Sequence, residues 1–268
     1  MRLDHKRVLV TGAGSGIGRA LAVQAAQLGM EVAICGRRLD ALKESETLFG
    51  SGTGVMVIPA DLTNASDRGR IAEWIGARWG HLDVLVNNAG VVHGGPLEAS
   101  DDASIERVFQ TNVMGPMSLT RELMPLLAAA APSCIVNVGS MFGDIPYAGF
   151  AAYSASKFAL RGFSIALRRE LKDRGIRVTY AAPRATHTDA AVAFKDLIAS
   201  SKMRLDAPED VAARIWRAVS DDAETVYPPG PERFYVLLQR VFPRLIDRAL
   251  AGKSQSLKTP LRTATHEG

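Results

Sequence analysis

Tyr153-Ser-Ala-Ser-Lys157 puts a phenol and an ammonium four residues apart. On a helix that separation stacks the two side chains on one face, a turn apart. A free tyrosine titrates near ~10 and holds its proton at neutral pH. A close ammonium favours the phenolate, and a lowering by about 2–3 units needs only about 3–4 kcal/mol of interaction. Such a phenol could exchange a proton with a substrate oxygen near neutrality. The pattern alone is common on helix surfaces, where it forms an ordinary exposed pair.

A second chemical signal lies near the start. Thr11-Gly-Ala-Gly-Ser-Gly-Ile-Gly18 falls between an apolar run, VLV, and a helical pattern that opens at Ile17. Its order is T-G-x-x-x-G-x-G. Gly12 suits a positive-φ exit from the strand, while Gly16 and Gly18 let backbone approach a pyrophosphate and helix approach sheet. The helix N-terminus then offers free N–H groups and partial positive charge to phosphate. The strand–turn–helix context makes this a dinucleotide turn, and the absence of Gly-Lys-Ser/Thr excludes a P-loop.

The next apolar run ends Cys35-Gly36-Arg37-Arg38, with no acid in the place that would bind free ribose hydroxyls. An arginine there suits a 2′-phosphate, which a carboxylate would repel. Arg37 and Arg38 therefore predict NADP(H), with NAD(H) as the alternative. On the plainer reading Arg37 stacks on adenine and Arg38 is solvated.

Elements must carry these groups to one place. Runs at Arg7–Val10, Glu31–Cys35, Gly54–Ile58, Leu82–Val86, Ser133–Val138 and Ile176–Ala181 read as strands. Helical patterns fill the gaps at Ile17–Leu28, Leu39–Phe49, Ala65–Trp79, Ala103–Ala129 and Ala151–Arg174. Strands apolar on both faces, alternating with helices, predict a doubly wound parallel sheet of the Rossmann-like α/β class. Ligands then sit at the carboxyl ends of the strands, where Tyr153 follows the fifth. Past Ala181 the pattern loosens, with short helices expected at Ala190–Lys202 and Pro208–Val219. Residues 1–252 read as one domain and 253–268 as a mobile tail.

With 47% hydrophobic and 22% charged residues, the chain is neither disordered nor collagen-like. The longest apolar run, Leu123–Pro132, is half the ~20 residues of a membrane span. No secretory h-region precedes the first glycine turn, and Cys35 and Cys134 read as two buried thiols rather than a bridge. A cytoplasmic protein is the expectation. The five histidines lack metal-ligand spacing, so no metal is expected.

Residues 1–231 balance 25 basic against 25 acidic residues, whereas 232–262 hold seven basic against two acidic. The basic pI of about 9.2 thus belongs to a tail. Neither a basic face with stacking aromatics nor a DNA-binding motif appears, which argues against nucleic acid. Residues 231–252 form a basic amphipathic segment: Phe234, Leu238, Val241, Leu245 and Ala249 recur at helical spacing, with arginines mainly opposite and a break at Pro243. Burial in a core or subunit interface is the first reading. A lid over the substrate cleft and peripheral contact with an anionic membrane are the others.

Taken in order, TGAGSGIG, Asp61-Leu62, Asn87-Asn88-Ala89-Gly90, Asn112, Ser140 and Tyr153-x-x-x-Lys157 resemble the single-domain short-chain dehydrogenase/reductase family, from Lys6 to about Ala218. The resemblance implies Tyr153 as acid/base and Ser140 as the group orienting a substrate carbonyl. It implies that Lys157 binds the nicotinamide ribose and lowers the phenol pKa, and that Asn112 holds a water linking Lys157 to solvent. It further assigns Gly12, Ser15, Gly16, Ile17, Gly18, Asp61, Leu62, Asn88, Ala89, Gly90 and Thr188 to cofactor binding. A homodimer or homotetramer and a small carbonyl or alcohol substrate follow by the same analogy, while Met141, Phe142, Phe150 and Phe194 read as an apolar cleft or as core, and membrane contact would favour a lipid-like substrate. The alternative function is a cofactor-binding regulator or membrane-associated scaffold with little turnover. One departure stands out. Where the family has Pro-Gly after the sixth strand, this chain has Pro183-Arg184. Arg184 either points into the cleft toward an anionic substrate or reaches a neighbouring helix end or solvent.

Overall fold

The computed structural model describes residues 1–50, 54–188 and 204–251. The expected helix at 190–202, the tail at 253–268 and Phe194 lie outside them. Seven strands form one parallel sheet in the order β3-β2-β1-β4-β5-β6-β7. They are β1 (Arg7–Thr11), β2 (Glu31–Gly36), β3 (Val55–Pro59), β4 (Val84–Asn87), β5 (Ser133–Val138), β6 (Ile176–Ala181) and β7 (Thr225–Val226). The first six match the apolar runs to within two residues. The two-residue β7 was not expected, because an edge pairing of Tyr180 with Thr225 and Ala181 with Val226 is too short for any periodic signal.

The helices are α1 (Gly16–Gln27), α2 (Leu39–Glu46), α3 (Ala65–Trp79), α4 (Asp102–Phe109), α5 (Gly115–Ala129), α6 (Ala151–Leu171), α7 (Pro208–Ser220), α8 (Glu232–Val241) and α9 (Pro243–Ala251). One apolar layer packs α1 and α7 on β1, β2, β4 and β5, through residues such as Leu21, Val86, Ile215 and Trp216. The opposite layer packs α3, α5 and α6, through Ile71, Leu85, Leu123 and Leu171. Both faces of the sheet are thus covered, and the strand interiors are apolar on both sides.

The single helix expected over Ala103–Ala129 is instead two, joined by a π-helical turn at Gln110–Met114. Pro116 lacks the N–H that would bond the carbonyl of Asn112 four residues earlier, so the ladder must reset there. The C-terminal segment divides at Pro243 as read. Its apolar face, however, is not buried within the chain: Phe234, Val241 and Leu245 are 61%, 56% and 48% exposed. Val236 and Ile246 face inward instead.

Candidate active site

Because the strand order reverses between β1 and β4, a crevice opens beyond their carboxyl ends. It is a cavity of about 670 Å³. Thr11 ties its two banks together: the Thr11 Oγ1 donates to the Val86 carbonyl at 3.1 Å and accepts from the Asn88 and Ala89 amides at 3.0 and 3.1 Å. Asn88 Nδ2 donates to the carbonyls of Thr11 and Gly12, at 3.0 and 3.2 Å.

The glycine turn is built for close approach. Gly12 and Gly16 hold φ of +65° and +52°, the left-handed region that glycine enters without strain. A Cβ on Gly18 would lie 2.2 Å from the Gly12 carbonyl oxygen. Ser15 caps α1 without using its side chain, and the first turn carries no acid, so nothing neutralises the helix N-terminus. A dinucleotide pyrophosphate fits this cradle. Gly12, Ser15, Gly16, Ile17, Gly18, Arg37, Arg38, Asp61, Leu62, Asn88, Ala89, Gly90 and Thr188 all line the cavity. Arg37 and Arg38 are exposed at its rim. Asp61 spends one carboxylate oxygen on Thr63, through the amide at 2.9 Å and the hydroxyl at 2.8 Å. Thr188 packs against Gly16, where an added Cβ would meet its methyl at 2.7 Å.

Ser140, Tyr153 and Lys157 meet at the other end of the cavity. Ser140 ends the exit from β5, and its hydroxyl accepts the Phe142 amide at 3.1 Å. It also hydrogen-bonds the Tyr153 phenol, which the aromatic rings of Phe142 and Phe150 help bury. Lys157 Nζ stands 5.7 Å from the Tyr153 ring centroid and donates to the Val138 carbonyl at 3.2 Å. Burial governs both titrations. It pushes the phenol up to about 12, against the pull of the Ser140 hydrogen bond, and lowers the ammonium to about 8. On Tyr153 burial thus acts in the direction opposite to the lowering expected from the lysine.

Asn112 stands behind the cavity rather than in it. Fully buried in the π turn, it exchanges hydrogen bonds with the Val91 backbone at 2.8 and 2.9 Å and donates to Ser156 Oγ at 3.0 Å. Its Oδ1 and Lys157 Nζ both border Gly90, at 3.1 and 3.5 Å from where a Cβ would sit.

Arg184 does not point a free guanidinium at a substrate. Its Nε donates to Asp206 Oδ1 at 2.9 Å, a terminal nitrogen pairs with the same carboxylate at 2.7 Å, and the other pairs with Glu232. The arginine thereby holds the start of α8 against the cavity rim. Asp144 does similar work on the far side: buried beyond Ser140, it accepts from Tyr227 at 3.1 Å and Arg240 at 3.0 Å and pairs with Arg161 at 3.2 Å. Desolvation raises its pKa despite Arg161.

So anchored, α8 and α9 place Glu232, Tyr235, Ile246, Ala249 and Leu250 along the cavity. The sequence names none of these residues for the site singly; it reaches them only through the lid reading of the amphipathic segment 231–252. Met141, Phe142, Ile145 and Tyr147 make the remaining wall largely apolar.

Comparison with known proteins agrees with this geometry. The family model described as short chain dehydrogenase matches residues 6–197. Estradiol 17-beta-dehydrogenase 11 of Macaca fascicularis is 31% identical over 240 residues, covering 88% of this chain and 79% of that protein. A short chain dehydrogenase/reductase from Burkholderia phymatum, solved in complex with NAD, superposes with a TM-score of 0.83 at 26% identity, over 92% of this chain and 96% of that one. A short chain dehydrogenase from Burkholderia cenocepacia, in complex with NADP, shares the fold with a TM-score of 0.80 at 23% identity, over 93% and 99%.

Proposed function

The chain belongs to the short-chain dehydrogenase/reductase family, and on that premise we propose reversible hydride transfer between NADP(H) and a carbonyl or secondary alcohol. Membership makes it an NAD(P)-dependent oxidoreductase; the finer reading rests on the convergence of Ser140, Tyr153 and Lys157 at one end of a dinucleotide cleft. When bound, the nicotinamide supplies or accepts the hydride. The residues of the chain handle the proton. With its pKa raised to about 12, the Tyr153 phenol keeps a proton ready for a substrate oxygen that gains charge. Ser140, already hydrogen-bonded to that phenol, orients the same oxygen. Lys157 holds the cofactor ribose, and Asn112, bonded to Val91 and Ser156, supports the loop beside the lysine from behind. The apolar wall of Met141, Phe142, Ile145 and Tyr147 suits an apolar carbonyl compound.

NADP(H) preference rests on Arg37 and Arg38, exposed at the end of β2 where no acid competes. Initial rates with NADPH should exceed those with NADH, and Arg38→Asp should shrink the ratio; equal or faster use of NADH by the intact protein defeats the preference. Tyr153→Phe should lower kcat/KM for ketone reduction by about 10²–10⁴-fold while cofactor binding persists. Undiminished turnover of that variant across a panel of ketones would refute the reaction itself.

A further inference from the structure

The outer side of α8 and α9 runs against the usual rule for a surface helix. Within α8, Val236 packs inward, Glu232 is tied to Arg184, and Arg240 reaches Asp144. The polar and charged side of the helix thus grips the protein, and the apolar side faces out. Phe234, Leu237, Val241 and Phe242 are each more than half exposed, and Leu245 of α9 extends the patch at 48%. Beside it lie the exposed Arg244 and Arg248, and Arg233, exposed too, with its guanidinium 5.9 Å from the Tyr227 ring centroid. Arg244 and Arg248 form no ion pair among the described residues, and Asp247 is the one carboxylate of the two helices not engaged by a named partner.

We propose that this face docks on an anionic lipid surface. The apolar residues would enter the interface and the arginines would meet the headgroups. Charge decides against a second copy as the occupant. A two-fold interface sets the patch against itself, and with Glu232 held by Arg184 it would offer Arg244 and Arg248 of each copy only Asp247 as a carboxylate from these helices. An anionic bilayer satisfies the arginines, and the surplus of seven basic over two acidic residues in 232–262 favours it further. The same two helices line the cleft through Tyr235, Ile246, Ala249 and Leu250, so docking brings the mouth of the cleft to the lipid.

The test is flotation of the full chain with vesicles of phosphatidylcholine alone and of phosphatidylcholine mixed with phosphatidylserine. The mixed vesicles should carry the protein and the neutral ones should not. Arg244→Glu with Arg248→Glu should weaken partition by about thirtyfold or more, at roughly 1 kcal/mol per lost cation. Phe234→Ser with Leu237→Ser should also release the protein, with its thermal midpoint kept, because both side chains are exposed. Failure of the intact protein to float with mixed vesicles overturns the proposal. So does flotation that the substitutions leave unchanged, or a dimer in sedimentation that the serine pair dissolves without any vesicle binding. Ketone reduction is assayed separately, so loss of docking and loss of catalysis are read independently.

Discussion

At the scale of single residues, burial rather than pairing sets the titration of the central lysine. Lys157 falls from an ordinary 10.5 to about 8, because the ammonium is desolvated among Val138, Gly90 and the Tyr153 ring. Between about 8 and 10.5 the unfolded chain therefore binds more protons than the folded one, so stability rises with pH across that window, by about 3 kcal/mol for this group. Tyr153 acts in the opposite sense. Its folded pKa of about 12 means that stability declines as pH climbs from 10 toward that value. Chemical unfolding of wild type and Lys157→Met should show a stability gap that changes with pH below 10. A gap constant across that range would mean that the lysine titrates as it does in water.

At the scale of elements, the first βα unit is where packing tolerates least. A Cβ on Gly18 would strike the Gly12 oxygen at 2.2 Å and Asn88 Nδ2 at 2.4 Å, whereas one on Gly14 would meet the Ala41 methyl at 3.1 Å. Gly18→Ala should cost about 1–3 kcal/mol or more and weaken dinucleotide binding strongly, while Gly14→Ala should cost less on both counts. Denaturant melts and cofactor titrations of the two variants distinguish them; equal losses would contradict the geometry.

The strength of these local demands explains why this unit, and most of the sheet, was legible in the sequence: glycine spacing, apolar runs and helical periodicity are local signals. The pair Tyr153 and Lys157, Ser140 and every residue named for the cofactor do line one cavity. Less legible were features that depend on distant partners. The π turn follows from a proline displaced into a helical pattern, and β7 from two residues reaching an edge. For α8 periodicity found the apolar side but not its direction, because Glu232 and Arg240 turn inward only to meet Arg184 and Asp144.

At the scale of the whole molecule, Arg184 replaces a conformationally free residue with a brace. Its carboxylate partners are Asp206, which also binds Arg214 at 2.5 Å, and Glu232 at the head of α8. Arg184→Gly strands Glu232 and leaves Asp206 to Arg214 alone, and should cost about 1–3 kcal/mol for the charge-assisted hydrogen bonds removed. Limited trypsin digestion should then cut earliest at Arg233 and Arg240; a digestion pattern like that of wild type would show that the helices need no brace.

Asp144 extends this to the other end of the site. One carboxylate receives Arg161 from α6, Arg240 from α8 and the Tyr227 hydroxyl, four residues beyond Ser140 in the chain. The roof and the proton-handling corner therefore share a keystone. A chain shortened at residue 231 would do more than uncover its cleft: it would slacken the turn that aims the serine, so that trimming the far end of the polypeptide would be felt in the turnover number.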